Sequence, residues 1–286
     1  MLGPAISFWN CRVGGGCIGP TDAFFVMDPQ GNAFRIGEGV GSEQIIDESA
    51  PSLDPDAQAY VNAMTITPDA ARQALINDLI VGLKADGVWT ALAGGWVSLA
   101  NGDEQQMRLN MVDPTQEATA VNSPTFTADR GFQGNGSTSY LSTGVDSGDV
   151  SSSTNGTLFR WINIDPSSNN SDDIGSGDRY RIRTAADGSA LCRLNQSNNT
   201  TAATGSFHCV VREDASTSVS YVDGGSPNTV SPISATSSGE IFILRASSFS
   251  DSRAAVAGFT PSSLSAAQVL ALYNRLNTYV TAIGAN

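Results

Sequence analysis

The sequence predicts a mostly β protein in which a small N-terminal hairpin region and a helical segment precede an antiparallel sandwich or barrel. Three observations predict this fold class. From residue 118 onward, short segments rich in β-branched and aromatic residues alternate with clusters of Ser, Asn, Asp and Gly, as strands alternate with turns. Residues 126–144 carry four glycines between isolated aromatics, which is typical of a strand, a tight turn and a second strand. A capped apolar stripe then closes the chain as a helix.

The first predicted element is a β-hairpin. Two apolar runs, residues 23–27 and 33–36, are separated by Pro, Gly and Asn at residues 28–32. Because two strands alone are only marginally stable in water, the hairpin needs a partner, either the rest of the chain or another subunit. Residues 1–20 are expected to form an irregular arm, and residues 37–54 an acidic linker.

Helices are predicted next. Residues 56–64 predict a short helix. A longer one is expected to begin with Thr67 as its cap and Pro68 in its first position, and to end at Gly87, which can take the left-handed conformation. An apolar stripe at helical spacing runs between these ends. Residues 88–99 are predicted as further packed turns.

Strands and a final helix make up the remainder. The predicted strands are residues 157–164, 180–184, 190–195, 206–212, 218–222 and 240–246. In the final segment Ser265 and Gln268 have the spacing of a capping box, and Gly284 follows the last apolar residue. This helix is expected to cover a face or an edge of the sheet.

Charge is distributed unevenly. Residues 1–120 carry 15 Asp and Glu against 5 Lys and Arg, and residues 121–286 carry 13 against 10, within a net charge of −13. Phosphate contacts need clustered cations, so nucleic acid is excluded as a partner. No apolar run reaches the roughly 18 residues of a membrane span, and no membrane insertion is predicted. The N-terminus lacks a basic region followed by an apolar core, so a soluble protein without a secretory signal is expected.

The cysteines and the single histidine predict neither a zinc site nor a cofactor. Cys11, Cys17, Cys192 and Cys209 lack CxxC spacing, and His208 is the only histidine. As a lone histidine in a strand without a nucleophile motif, it is expected to be a packed or edge residue. A cross-strand disulfide between the last two cysteines and a pair of buried thiols stay open as alternatives, and a reducing cytosol favours the thiols.

Several stretches carry a family resemblance. They read GFQGNGSTSYLSTG (131–144), SVSYVDGG (218–225), EIFILRASS (240–248) and LSAAQVLALYNRLNTYVTAIG (264–284). Together they resemble the laminin-G or concanavalin A-like modules of tailed-phage virion proteins and gene-transfer-agent particles. The preceding TPDAARQALINDLIVGLKADGVW (67–89) and AVNSPTFTADRGF (120–132) resemble the helical segment that accompanies this module. The resemblance covers residues 55–286.

The resemblance implies a concanavalin A-like jelly-roll β-sandwich over residues 118–286, closed by the C-terminal helix. It also implies a helical connector over residues 55–117 and, before it, an N-terminal arm, hairpin and linker over residues 1–54 that anchors the protein to a particle. The expected location is the exterior of a virion assembled in the host cytoplasm. Expected partners are other virion proteins through the N-terminal region, further copies of the chain with a trimer favoured, and a host cell-surface polysaccharide.

No catalytic residue and no metal ligand is predicted. A concanavalin-like glucanase needs two carboxylates about the scissile bond, usually clustered at alternate positions of one strand. The C-terminal part holds only two glutamates, Glu213 and Glu240, and neither has this pattern. The loop carboxylates Asp172, Asp173 and Asp178 lack a recognised calcium-ligand spacing.

The candidate ligand-binding residues are Arg179, Tyr180, Arg181 and Arg183. A period of two places the three arginines on one face of a strand, where they could hold sulfate, uronate or phosphate groups through forked hydrogen bonds. The alternative is a solvated face neutralised by a partner subunit or by nearby carboxylates. Those carboxylates are Asp172, Asp173 and Asp187.

Three functions are therefore weighed. The leading hypothesis is a non-enzymatic virion structural protein, as a fiber, head spike or tail component, whose lectin-like domain contacts host surface glycan. The alternative is a purely architectural capsid or tail decoration protein without glycan binding. The third is a glycan hydrolase.

Overall fold

The computed structural model describes residues 23–27, 33–37, 46–47 and 52–286. The chain divides into two compact units, Met1–Leu53 and Asp54–Asn286. In the first unit the predicted hairpin is confirmed, because strands β1 (Ala23–Met27) and β2 (Ala33–Gly37) pair antiparallel. A short strand, β3 (Ile46–Asp47), pairs with the other edge of β2. The predicted arm over residues 1–20, with Cys11 and Cys17, lies outside the described residues.

Six helices are described in the second unit. They are α1 (Pro55–Asn62), α2 (Ala70–Ala85), α3 (Trp89–Leu92), α4 (Glu104–Arg108), α5 (Ser147–Val150) and α6 (Ala266–Ala282). The cap of α2 differs from the prediction. The N-cap is Asp69 rather than Thr67, because its carboxylate accepts a hydrogen bond from the backbone N–H of Arg72, three residues later, at 2.8 Å. Pro68 therefore precedes the helix instead of occupying its first position. Gly87 takes the expected left-handed conformation with a φ of 67°.

Fifteen strands are described in the same unit. They are β4 (Trp96–Leu99), β5 (Thr119–Val121), β6 (Thr125–Thr127), β7 (Gly131–Gln133), β8 (Tyr140–Asp146), β9 (Gly156–Ile164), β10 (Ser171–Gly175), β11 (Tyr180–Thr184), β12 (Ala190–Leu194), β13 (Thr200–Ala202), β14 (Phe207–Arg212), β15 (Ser218–Val222), β16 (Gly225–Val230), β17 (Glu240–Ile243) and β18 (Arg253–Thr260). They confirm the mostly β class and the strand–turn–strand prediction for residues 126–144.

Two antiparallel sheets form a β-sandwich. One has seven strands in the order β13-β12-β11-β10-β17-β8-β5. The other has the order β16-β15-β14-β9-β18-β7-β6, and β4 also pairs with β18. Alternate side chains of each strand point between the sheets, so apolar residues such as Leu158 and Ile182 are buried there.

The prediction of packed turns over residues 88–99 is wrong at its C-terminal end. Residues 96–99 form β4, which pairs with β18 through Trp96 opposite Phe259 and Leu99 opposite Val256. All four residues of β4 are buried, so the strand lacks the alternation that identifies a half-exposed strand in a sequence. The segment predicted as a helical connector thus contributes a strand to the sandwich and lies within the same compact unit.

Helix α6 covers one side of the sandwich. Tyr273 of α6 stacks on Trp161 of β9 with ring centroids 5.6 Å apart, and it also contacts Phe207 of β14. Ser265 and Gln268 form the predicted capping box. The helix therefore packs on the eight-stranded sheet and leaves the outer face of the seven-stranded sheet on the opposite side.

A fully buried ion pair lies between the sheets. Arg160 of β9 and Asp173 of β10 have no solvent exposure, and Nε of the arginine lies 3.1 Å from the carboxylate. The carboxylate also accepts hydrogen bonds from Ser250 Oγ at 2.8 Å and Ser252 Oγ at 2.7 Å, and from the hydroxyl of Thr184. Because all its acceptor sites are used, this pair is a structural element of the core.

Both described cysteines are buried free thiols. Cys192 lies on β12 of one sheet and Cys209 on β14 of the other, and neither forms a disulfide. The alternative of two thiols is therefore the one that the structure shows. Burial raises the pKa of the Cys192 thiol to about 12 and that of Cys209 well above its ordinary value, so neither is a ready nucleophile.

Candidate ligand-binding surface

The candidate site lies on the outer face of the seven-stranded sheet, opposite α6. In β11 the side chains of Tyr180 and Ile182 are buried between the sheets, whereas Arg181 and Arg183 point to the outer face. The register places Arg181 opposite Arg193 of β12. Three arginines are thus neighbours on one face in a protein of net charge −13.

Two arginines of the predicted row are held by buried aspartate. Arg183 makes a two-pronged contact with Asp172, with Nε 2.7 Å and Nη2 3.1 Å from the two carboxylate oxygens. Arg181 lies 3.6 Å from the same carboxylate and also binds Asp178. Burial lowers the pKa of Arg181, and the charges of Arg183 and Arg193 add to this effect, while Asp172 opposes it. The structure thus contains the neutralising contact that the alternative prediction described for Asp172.

The other two predicted residues lie elsewhere. Arg179 precedes β11 and stands in the turn after β10, where it is exposed. The two-residue period therefore does not extend to it, although the turn keeps it beside the same face. Tyr180 is fully buried, and burial raises the pKa of its phenol. Its hydroxyl is directed into the core, so it is not available to a ligand at the surface.

A polar cleft opens beside Arg179. Its volume is about 430 Å³, which falls within the range of small-molecule sites. The lining residues are Ser176, Gly177, Asp178, Arg179, Thr236, Ser237, Ser238, Gly239, Glu240 and Phe242. Hydroxyl, carboxylate and guanidinium groups around one aromatic ring match the mixture of polar and apolar faces that a sugar presents.

Glu240 in the cleft is engaged in the fold. Its carboxylate accepts hydrogen bonds from the hydroxyl of Ser142 and from the backbone N–H of Gly144, the latter at 2.8 Å. Hydrogen bonding from Ser247 and the charges of Arg181 and Arg193 hold the pKa of Asp178 below its ordinary value. Asp178 is therefore stabilised as an anion, which suits an acceptor of sugar hydroxyl hydrogen bonds rather than a proton donor.

An arginine surrounded by aromatic rings adjoins the cleft. The guanidinium carbon of Arg245 lies 4.6 Å from the ring centroids of Tyr140 and Phe242 and 5.1 Å from that of Phe249. We call these four residues the Arg245 cluster. Tyr140 and Phe242 meet edge to face with centroids 5.1 Å apart. Phe242 also lines the cleft, so the cluster and the cleft form one continuous surface.

An unusual backbone conformation places Arg245 on this face. Side chains alternate along β17, but Leu244 has a φ of 68° and its side chain is buried, so the following Arg245 emerges on the same side as Phe242. The left-handed conformation costs a residue with a Cβ roughly 1–2 kcal/mol. The N–H of Leu244 donates to the carbonyl of Asp173 at 2.6 Å, and its carbonyl accepts from the N–H of Ser250 at 2.9 Å. Backbone strain held in this way is typical of functional sites.

The other residues considered from the sequence have structural roles. Asp172 and Asp173 point to opposite faces of the sheet and bind different arginines. His208 is buried, and its Nε2 lies 2.7 Å from the carbonyl oxygen of Ala203, so the neutral ring donates there. Within residues 52–286 no group of three or more His, Cys, Asp or Glu side chains is arranged to hold a metal ion. None of the described helices is long and apolar enough to cross a membrane.

Sequence reasoning missed Arg245, Tyr140 and Phe249. The local signal is an arginine with phenylalanines three residues before and four residues after it, in the segment FILRASSF. The contribution of Tyr140 from β8 depends on sheet pairing between distant segments, and no local pattern encodes it.

Comparisons with known proteins give a distant likeness to solved structures. No protein-family model and no curated protein matches the sequence. Trypanosoma rangeli sialidase matches with a TM-score of 0.46 and 12% identity, over 73% of this chain and 40% of that chain. The botulinum neurotoxin serotype D binding domain gives 0.43 and 10%, over 63% and 51%. The binding domain of botulinum neurotoxin DC in complex with rat synaptotagmin II gives 0.45 and 12%, over 65% and 52%. The chain thus spans about two fifths to one half of these chains, and likeness at this level carries no functional information.

Proposed function

We propose that this protein is a non-enzymatic structural component of a phage-type virion whose β-sandwich contacts an anionic glycan on the host surface. The observation that carries the glycan part is the arginine-rich outer face with its continuous polar cleft and aromatic cluster. The virion part is supported by the sequence resemblance over residues 55–286. On this proposal the protein is a fiber, head spike or tail component at the particle exterior.

The contacts of the outer face suit an anionic polysaccharide. Arg179 is exposed beside the cleft, and Arg193 is half-buried with one guanidinium nitrogen bonded to the carbonyl of Asp178. Both lie on a chain of net charge −13. Locally concentrated positive charge attracts an anionic polymer to this face and directs it away from the others.

A catalytic role has no support from the carboxylates of this surface. Asp172 forms ion pairs with two arginines. Glu240 accepts hydrogen bonds from Ser142 and Gly144. A glycosidase needs one carboxyl group that carries a proton near neutral pH, and such a group is usually buried away from cations. We therefore propose binding without hydrolysis, and release of reducing ends from a bound polysaccharide would contradict this part.

Binding to polysaccharide is the decisive measurement. Purified protein is applied to immobilised acidic and neutral polysaccharides, and to bacterial cells before and after their surface polysaccharide is enzymatically removed. We expect retention on at least one acidic polysaccharide and on untreated cells, and loss of binding to stripped cells. Absence of binding in every arm would contradict the glycan proposal.

The contacts of Arg181 and Arg183 favour a second candidate function. Because both arginines are neutralised by Asp172 and Asp178, the outer face could serve only to stabilise the sheet. The protein would then be an architectural capsid or tail decoration component. The same binding experiment distinguishes the two candidates, since an architectural protein is retained by neither polysaccharide nor cells.

Assembly is a separate part of the proposal. We propose that the N-terminal region contacts other virion proteins and that the chain forms a homo-oligomer, with a trimer favoured by the resemblance. Light scattering of purified protein measures the mass directly. A stable monomer in solution whose N-terminal region is fully ordered would contradict obligate assembly.

A further inference from the structure

We propose that the Arg245 cluster is the subsite that recognises the carboxylate of a uronic acid. This inference rests on the proposed glycan binding and makes it specific. It assigns the guanidinium edge to the carboxylate, the aromatic rings to the pyranose, and the adjoining cleft to the next sugar of the chain.

The first support is the unused hydrogen-bonding capacity of Arg245. Among residues 52–286, the ion pairs involve seven cations, and Arg245 is not one of them. Its side chain donates no hydrogen bond within that part of the chain, and its nitrogens are not among the buried polar atoms that lack a partner. Arg245 is half-buried, so part of its side chain is exposed to solvent. The forked donors of Arg245 thus have no acceptor in the part of the chain that the structure describes, whereas Arg160 on β9 has used its donors inside the core.

The second support is that the aromatic rings restrict the guanidinium. The ring centroids of Tyr140, Phe242 and Phe249 lie 4.6, 4.6 and 5.1 Å from the guanidinium carbon. These rings shield the guanidinium from water, and their negative quadrupoles offset part of the hydration that it loses. The edge with its N–H groups is left to face the ligand. A cation held in one orientation loses less conformational freedom on binding than a free surface arginine does. The planar fork of donors matches the two oxygens of a carboxylate.

The third support is the position of the cluster beside the cleft. Phe242 contacts Arg245 and also lines the cleft, so a saccharide can extend from the ring cluster into the cleft. The rim there supplies the exposed hydroxyls of Thr236 and Ser238 together with exposed Arg179. Aromatic faces accept the C–H faces of a sugar ring, and the hydroxyls accept and donate at its edge. An inorganic anion would use the guanidinium alone and leave the rings without a partner.

The test uses paired ligands. Oligosaccharides that contain uronic acid are immobilised beside the same oligosaccharides after reduction of their carboxylates to primary alcohols. The third ligand is an oligosaccharide that lacks uronic acid and carries sulfate groups. Binding of the protein of residues 1–286 is measured by surface plasmon resonance. We expect the carboxylate form to bind about 10- to 100-fold more tightly than its reduced form, as a charge-assisted forked pair provides. Equal binding of the two forms, or tighter binding of the sulfated ligand, would overturn the inference.

Two variants assign the effect to the cluster. Arg245→Gln keeps a polar side chain but removes the charge, and it should lower affinity for the carboxylate form by about 10- to 100-fold without changing affinity for the reduced form. Arg275→Gln removes an arginine on α6, on the opposite side of the sandwich, and should leave both affinities unchanged. If both variants weaken binding equally, overall charge rather than the cluster is responsible and the inference fails.

Failure of this inference is distinguishable from failure of the proposed function. Tight binding to reduced or neutral oligosaccharides that is insensitive to Arg245→Gln contradicts the uronate subsite and leaves glycan binding intact. No binding of the unmodified protein to any oligosaccharide contradicts both. Thermal unfolding of each variant is followed in parallel, because a folded Arg245→Gln protein with unchanged uronate binding also contradicts the assignment.

Discussion

Arginines in two regions of the sandwich differ in the acceptors that their guanidinium groups bind. Between the sheets, Arg160 is completely buried, and its donors bind Asp173, Thr184 and a backbone carbonyl. On the outer face, Arg245 lies among aromatic rings and has no acceptor within residues 52–286. The comparison teaches that bound acceptors mark an arginine as part of the fold, whereas an oriented arginine with free donors is suited to binding. Arg181 and Arg183 belong with the first kind although they lie on the outer face.

The largest expected effect tests the buried arginine. Asp173→Asn removes the charge that pairs with Arg160 and leaves a cation uncompensated in the core. We expect the free energy of unfolding to fall by about 3–5 kcal/mol, as for other broken buried pairs. Urea denaturation measures it, and Asp187→Asn, at an exposed aspartate of a neighbouring turn, serves as the matched control with an expected change within about 0.5 kcal/mol. A fall of less than about 1 kcal/mol in the free energy of unfolding for Asp173→Asn would contradict a structural role for the Arg160–Asp173 pair.

The next effect tests the assignment of the arginine row to the fold. Arg183→Gln removes the two-pronged contact with Asp172, whose side chain has no solvent exposure. We expect a loss of about 1–3 kcal/mol in the free energy of unfolding, because the buried carboxylate loses charged hydrogen bonds. A solvated row, as the sequence first suggests, would show no loss. Denaturation of the variant by urea at neutral pH decides between them.

A third effect concerns pH and the interior. Burial and the nearby charge of Arg160 lower the pKa of His208 well below its ordinary value, so the folded protein keeps this histidine neutral. The unfolded chain takes up a proton below about pH 6.5, and stability is lost as the pH falls through and below that value, by at most about 1.4 kcal/mol per unit. The pH dependence of urea denaturation between pH 7 and 5 measures this slope.

The variant His208→Gln provides the control for the pH effect. Its amide can still donate to the carbonyl of Ala203, but it does not titrate. Because His208 is the only histidine, the slope between pH 7 and 5 should largely disappear in the variant. An unchanged slope would show that carboxylates, rather than this histidine, govern stability there.

The smallest expected effect on stability belongs to Arg179. Its side chain is exposed in the turn after β10, so Arg179→Gln should change the free energy of unfolding by less than about 0.5 kcal/mol. Under the proposed function the same variant should nevertheless weaken retention on acidic polysaccharide, because Arg179 lines the cleft. A loss of stability as large as that expected for Arg183→Gln would show that Arg179 stabilises the fold.

Local patterns in the sequence predicted much of the fold. The closing helix was predicted with its cap because Ser265, Gln268 and Gly284 act within one or two turns. Strand β11 was predicted at its observed bounds because it combines strand-forming residues with flanking turns. Strands β4 and β18 were not predicted as strands. Both are almost wholly buried, and β18 is rich in small residues, so neither shows a period of two.

The candidate site was predicted only in part. The sequence placed Arg181 and Arg183 together on one face, and the structure agrees, because alternation along a strand is a local property. It named Asp172 only as one of several carboxylates that could neutralise them, since the contact depends on pairing between β10 and β11. The Arg245 cluster was not predicted because it requires the left-handed backbone of Leu244, where an extended strand would be expected from the composition.

The conformation at Leu244 also has a consequence for the rate of complex formation. Its backbone is hydrogen-bonded on both sides and its side chain is anchored in the core, so Arg245 is already oriented before a ligand arrives. Association then needs no rearrangement of the segment. Under the proposed function, related oligosaccharides should therefore bind at similar rates and differ in how slowly they dissociate. If the protein is also carried in many copies on a particle, as proposed, short individual contacts would add up to a long residence time at the cell surface.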